Sequence, residues 1–426
     1  MKKIIKSAMN HPLVTGSTII FFGSMTANIL NYLFNLGMGR FLLESEYGTF
    51  ISLISVFNIF SVLSTTVNTV FTKFSAVLVG QKKEEFIGQL FISGSWWIGI
   101  IAFCITGFII IFSYHISRFL NINSTILIDI TALALFFSYL SFVGNGILQG
   151  LLKFGYYSFI NIFSSLSKLI LGLGFIFLGF KVFGAISAFF LSALIGYLLV
   201  FFPLRKFLKN SGKKDFHFSN LRKKLSLYAL PVFLANIGMT AFITIDIILV
   251  KHFFEPTTAG QYAAISTMGR SIFYAVSPIA LVLFPLVAQR KERGENLTGI
   301  TLLSLFLIGV PSLFLSLFYF TFPEFVRTIF YPSFSQIINQ YLGPFSLFVL
   351  FYTLSYVLNI FYLSIGKIRV YIITILAACA ETALIWFLHD SVSQVINILI
   401  LSSFLLFLSL LFYYPIATKK TRPNSI

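Results

Sequence analysis

Five ionisable residues, Arg270, Lys168, Glu381, Asp246 and Asp129, lie within long apolar stretches of a 426-residue chain that is 58% hydrophobic and only 10% charged. Arg270 stands ten residues into its stretch, about 15 Å deep at a helical rise of 1.5 Å per residue. At the centre of a bilayer an unpaired arginine costs about 2.5 to 3.5 kcal/mol on insertion scales. It must therefore bind an anion, since its planar fork matches phosphate bidentately, or close an ion pair, for which Asp246 is the candidate. Lys168 and Glu381 are also near the middle of their stretches and 213 residues apart. A lysine there can hold phosphate, and a buried glutamate can carry a coupling proton or bind Na+. The structural alternative is that the two pair with each other or with neighbouring polar groups. Asp129 and Asp246 lie towards the ends of their stretches, and Arg40 sits just beyond the end of another, where it either guides an anionic head group or anchors a helix at the interface.

The elements that must position these groups are transmembrane helices. Crossing about 30 Å of hydrocarbon takes about 20 mostly apolar residues, and that window finds twelve spans: 14–36, 50–72, 90–112, 125–147, 159–180, 182–203, 227–250, 260–286, 300–322, 338–361, 371–388 and 392–414. The expected fold is an all-α integral membrane protein. Polar residues in several spans recur at helical spacing. Span 1 carries Ser24, Asn28, Asn31 and Asn35, span 2 carries Asn58, Ser61, Thr65, Asn68 and Thr72, span 7 carries Asn236, Thr240 and Thr244, and span 8 carries Thr267, Arg270, Ser271 and Tyr274. Steps of three and four keep each set on one face. Such faces either line a wet cavity or hydrogen-bond neighbouring helices together; four stripes on related spans favour the cavity. Pro231, Pro278, Pro285 and Pro311, in or at the ends of spans 7 to 9, can mark bends. Cys104 and Cys379 both fall in spans and read as packing residues.

Charge outside the spans gives the orientation. Of the 30 basic residues, 23 fall at the termini and in alternate gaps, and only Arg40, Arg118, Lys181, Lys251 and Arg327 lie on the other side. The positive-inside rule then places both termini in the cytoplasm. Because the basic residues are interleaved with spans, the net charge of +17 reflects sidedness, and nucleic-acid binding is excluded as a reading.

The longest hydrophilic gap falls at the middle and divides the chain into 1–203, a cytoplasmic linker 204–226, and 227–426. The two halves share motifs. Gly39-Arg-Phe-Leu-Leu-Glu-Ser-Glu-Tyr-Gly48-Thr-Phe50 after span 1 is matched by Val250-Lys-His-Phe-Phe-Glu-Pro-Thr-Thr-Ala-Gly260-Gln-Tyr262 after span 7, with the glycines 212 residues apart. Gln149-Gly-Leu-Leu-Lys153 after span 4 is matched, 214 residues on, by Leu363-Ser-Ile-Gly-Lys367 after span 10. Six spans return a chain to its starting side, so these are parallel repeats, predicting two pseudo-symmetric six-helix bundles around a central cavity. No nucleotide-binding, zincin, dinucleotide or hydrolase-elbow motif occurs, and no gap holds a soluble catalytic domain. The expectation is a transporter, with no catalytic residues, metal or cofactor.

The Gly39 to Phe50 motif, Tyr228-Ala-Leu-Pro-Val-Phe-Leu, and Asp246-Ile-Ile-Leu-Val-Lys followed by Ala259-Gly-Gln-Tyr-Ala-Ala resemble the polysaccharide flippases. These are the Wzx-like O-antigen and teichoic acid exporters of the multidrug/oligosaccharidyl-lipid/polysaccharide superfamily. The resemblance implies flipping of an undecaprenyl-pyrophosphate-linked oligosaccharide across a bacterial cytoplasmic membrane by alternating access, coupled to H+ or Na+ and working beside polysaccharide polymerases. It also implies cationic groups in the cavity, a role that Arg270 and Lys168 fit. Two other readings stand beside it: a cation-coupled drug or metabolite antiporter of the multidrug-extrusion branch, leaning on Glu381, Asp246 and Asp129, and a membrane-embedded polymerase or ligase, disfavoured by the short outer gaps.

Overall fold

The computed structural model describes residues 12–80, 82–208, 230, 233–292, 297–365, 367 and 369–418. Most of the linker, Pro231 and the basic residues of both chain ends lie outside the described residues. Among the described residues the structure is helical, with no strand. The helices are α1 (Pro12–Phe41), α2 (Glu44–Gly80), α3 (Ile87–Ile111), the short α4 (Ser113–Phe119), α5 (Ile126–Gly150), α6 (Phe154–Phe177), α7 (Lys181–Leu208), α8 (Phe233–Phe242), α9 (Ile245–Phe253), α10 (Pro256–Glu292), α11 (Thr298–Thr321), the short α12 (Pro323–Phe330), α13 (Asn339–Ser364), α14 (Val370–Phe387) and α15 (Val392–Thr418).

Ten helices among the described residues are long and apolar enough to cross a membrane, and α8 with α9 forms an eleventh span bent by 44°. Helix α10, with 37 residues, covers the predicted eighth span, although part of its side chains lie outside the described residues. The protein is therefore a multi-pass membrane protein. The bend between α8 and α9 falls at Ile243–Thr244, where there is no proline, and the Thr244 hydroxyl donates to the Thr240 carbonyl beside it. Helix α11 runs unbroken through Pro311, as α10 does through Pro278 and Pro285.

Turns between spans are closed by residues in left-handed backbone. Lys82 (φ 57°), Asn121 (φ 50°), Leu152 (φ 56°) and Gly179 (φ 86°) each follow a helix end. At each, the next residue's N–H returns to a carbonyl five residues back, as in Lys83 to Leu78 at 2.8 Å and Lys153 to Leu148 at 2.9 Å. This pairing satisfies carbonyls that a helix end would otherwise leave orphaned.

The chain forms two compact units, Met1–Phe233 with Val250–Ala263, and Leu234–Leu249 with Ala264–Ile426. In the first, α5 is the axis and packs on α2, α3 and α7, while α6 pairs with α1 and α7. Glycines make the close packing possible. A Cβ on Gly146 would lie 2.6 Å from the Asn68 carbonyl oxygen, and one on Gly150 would lie 2.5 Å from that of Thr72. Lipid tails are as apolar as leucine, so close backbone approach substitutes for a hydrophobic drive between helices. Val67, Val70, Phe71, Val143, Ile147 and Val200 fill the space around this contact. In the second unit α13 occupies the corresponding place, packing on α11, α12 and α15, with α14 against α15. Tyrosine hydroxyls tie its helices together, Tyr352 to the Met239 carbonyl at 3.2 Å and Tyr362 to that of Leu410 at 2.5 Å. Spans 4 and 10 are thus the axes of the two halves, as parallel repeats require. Cys104 on α3 and Cys379 on α14 are free thiols and exposed, so neither is packed against a neighbouring helix.

Candidate functional site

The second unit buries a cluster of ionisable and phenolic side chains. Asp246, in the first turn of α9, is fully buried, and Arg270 near the middle of α10 is 7% exposed. The Arg270 Nη2 donates to both carboxylate oxygens of Asp246, at 2.7 and 2.8 Å. The ion pair anticipated as the structural alternative is therefore formed. The bend at Ile243–Thr244 lies directly before Asp246 and restarts the helix there, which places the carboxylate at a helix N-terminus, where negative charge is favoured.

Glu381, on α14, is also fully buried, and both its carboxylate oxygens lack a hydrogen-bond partner among the described residues. It interacts electrostatically with Asp246, which repels it, and with Arg270, which attracts it. Tyr274, one turn beyond Arg270, interacts with that guanidinium but is 45% exposed. Tyr352 and Tyr356, one turn apart on α13, complete the cluster. Tyr352 interacts with Arg270, Glu381, Tyr274 and Tyr356, and the Phe273 ring packs edge-on to both tyrosines at 5.4 and 5.1 Å. The composition reading did not single out Tyr352 and Tyr356. Their i, i+4 spacing on the central span was the signal that could have done so.

In the first unit Lys168 of α6 is half-buried, its ammonium 5.3 Å from the centre of the Phe34 ring and 4.7 Å from that of Phe189. Two aromatic faces thus hold the cation, and among the described residues no ion pair or hydrogen bond joins it to Asp129, Asn28, Asn31 or Asn68. Among the described residues, Asn31 and Asn68 each bury a side-chain carbonyl oxygen without a hydrogen-bond partner, as Asp129 does with one carboxylate oxygen. Asn28 and Asn236 are half-buried on α1 and α8, and Arg40 is exposed at the end of α1. The hydroxyls of the stripes behave differently. Ser61, Thr65 and Thr72 donate back to carbonyls of their own helix, so they neither cross to another helix nor need water. Ser271 instead meets the Tyr319 hydroxyl at 2.7 Å, an interhelical bond.

The two repeated glycine motifs, separated by half the chain, meet within the first unit. A Cβ on Gly48 would lie 2.8 Å from the Gly260 nitrogen, and one on Gly260 would overlap the Glu44 carbonyl oxygen. Gln261 Nε2 donates to Glu44 Oε2 at 2.9 Å. Close by in the chain, the His252 ring stacks on Phe119 with 4.0 Å between centroids, and the Asn121 amide donates to the His252 carbonyl at 3.0 Å. These contacts border an open cleft of about 710 Å³ lined by Arg118, Asn121, Asn123, His252 and Glu255, among others.

Residues 13–291 match the family described as polysaccharide biosynthesis protein. The chain belongs to that family. An uncharacterised membrane protein of Methanocaldococcus jannaschii is 29% identical over 181 residues, 39% of this chain and 43% of that protein, so the match spans less than half the length of that curated relative. Among solved structures, an inward-facing multidrug resistance MATE family transporter of the MOP superfamily superposes with a TM-score of 0.76 at 15% identity, over 94% of this chain and 99% of the other. The lipid II flippase MurJ in an inward closed conformation gives 0.69 at 16% identity, over 94% and 87%. A MOP superfamily transporter from Pyrococcus furiosus gives 0.68 at 16% identity, over 95% and 96%. At these identities the likeness is one of fold: this polysaccharide biosynthesis family member shares the two pseudo-symmetric halves of those proteins.

Proposed function

We propose that the protein flips a polyprenyl-pyrophosphate-linked oligosaccharide from the cytoplasmic to the outer leaflet of the cell membrane, by alternating access of its two halves, for surface polysaccharide biosynthesis. The family match over residues 13–291 carries this reading, and a fold shared with a lipid-linked precursor flippase supports it. Both termini face the cytoplasm, the halves 1–203 and 227–426 act as the moving lobes, and 204–226 links them.

In this reading Lys168, with Arg40, Asn28, Asn31 and Asn68, contacts the pyrophosphate and the sugars from the first half, and Arg270, Asn236 and Tyr274 do so from the second. Lys168 suits the pyrophosphate because its ammonium is held by aromatic faces and keeps its donors for a ligand. Arg270 would have to share its guanidinium between Asp246 and the substrate. Its Nη2 serves the carboxylate while its Nε makes no hydrogen bond among the described residues. Glu381 is the coupling group. With Asp246 and Arg270 ionised, an ionised Glu381 leaves the buried cluster one negative charge in excess, and uptake of a single cation, H+ or Na+, neutralises it. Asp246 and Asp129 are secondary candidates for that role. A polysaccharide polymerase is the expected neighbour on the outer side.

A second reading, a cation-coupled drug or metabolite antiporter, is favoured by one observation: the carboxylates of the cluster outnumber its cations. Reconstitution into liposomes with a fluorescent lipid-linked oligosaccharide tests both. Leaflet transfer by the purified protein supports the flippase; efflux of cationic dyes without lipid transfer would replace it with the antiporter.

A further inference from the structure

Lys251, at the end of α9, is 2% exposed and ranks among the largest fully buried side chains. Among the described residues it forms no ion pair and no hydrogen bond. Its counterpart in the repeat, Arg40, is exposed. A buried ammonium without a counter-charge is expensive to maintain, and such groups inside membrane proteins mark ligand or ion pathways. Its location gives the reason to keep it. The chain changes unit between Leu249 and Val250, inside one continuous helix, and Lys251 follows in the Val250–Ala263 segment that belongs to the first unit. That segment is fastened by the Gly48–Gly260 approach, the Gln261–Glu44 hydrogen bond and the His252–Phe119 stack. All of them depend on the segment staying seated, and none engages the Lys251 ammonium.

We propose that Lys251 is a latent anion-binding group, hidden while Gly48 and Gly260 are in contact and released to the outer side of the membrane when they part, where it holds the phosphate of the departing substrate. The ligand is a phosphate or pyrophosphate ester, whose charge would replace the counter-ion that Lys251 lacks. The identity of that ligand rests on the flippase reading; the burial and release of the lysine do not.

The test acylates the native lysine in proteoliposomes with a membrane-impermeant sulfo-N-hydroxysuccinimide ester and reads each site by peptide mass spectrometry. Lys181, whose side chain is 66% exposed, serves as the reactive reference. Relative to Lys181, Lys251 should react at least tenfold faster in Gly260→Ala than in the wild type, because the added methyl cannot coexist with the Glu44 carbonyl. Gln261→Ala, which removes one hydrogen bond and adds no bulk, should give a smaller rise and stands in if Gly260→Ala does not fold. Inorganic pyrophosphate should restore protection in the unlatched variants. Equal reactivity in all variants, or no protection by pyrophosphate, overturns the proposal. In lipid-transfer assays Lys251→Arg should retain activity and Lys251→Met should lose at least tenfold in apparent affinity. Transfer unchanged in Lys251→Met overturns the phosphate-holding role, whereas absence of transfer by the wild type itself counts against the flippase reading and leaves the labelling result standing.

Discussion

Removing one partner of a buried ion pair leaves the other charged and unsolvated, which costs about 3 to 5 kcal/mol. Arg270→Ala and Asp246→Ala should therefore each lower thermal stability in detergent, while the Asp246→Ala/Arg270→Ala double variant should recover much of the loss. That recovery separates the two roles of the pair. If the double variant is stable yet fails to transfer lipid, the pair serves transport as well as stability, through the guanidinium or the carboxylate; if it transfers normally, the pair is only structural. Glu381 has no hydrogen bond to lose among the described residues, and its attraction to Arg270 is opposed by Asp246, so Glu381→Gln should leave stability within about 1 kcal/mol. It should make lipid transfer insensitive to an imposed H+ or Na+ gradient, and persistent gradient dependence in this variant would move coupling to Asp246 or Asp129.

The axis helix α5 shows what an element demands of its sequence. Gly146 and Gly150 meet α2 at distances that leave no room for a methyl group. Gly146→Ala should cost about 1 to 3 kcal/mol through overpacking, seen as a lower melting temperature. Gly155, whose Cβ position is open, should accept alanine with little change. The sequence showed span 4 as an apolar stretch, but not that it would be the axis, because hydropathy measures lipid compatibility and says nothing about which neighbour a helix chooses. A membrane helix can carry a proline without ending, as α11 does at Pro311, whereas span 7 breaks at Ile243–Thr244 without one.

At the scale of the molecule, the charge count predicts that a reporter after Ile426 or within 210–220 reads out as cytoplasmic, and one at Asn123 as extracytoplasmic. A cytoplasmic signal from Asn123 would invert the topology, and with it the side on which Lys251 is released. The membrane class, the spans and the repeat were all legible in the chain, because each depends on residue type and spacing along one dimension: about 20 apolar residues must cross a bilayer, and six crossings restore the side. The five intramembrane charges were legible too, as residues too costly to be accidental. The Arg270–Asp246 pair was legible as one of two alternatives; the rest of their surroundings was not. Whether Arg270 meets Asp246, whether Glu381 meets anything, and whether Gly48 rests on Gly260 are questions about residues 24 to 212 positions apart. Side-chain reach is a few ångströms, so folding of the helices against one another had to answer them, and it buried Lys251 without a counter-charge where sequence reading had seen only an ordinary outer lysine.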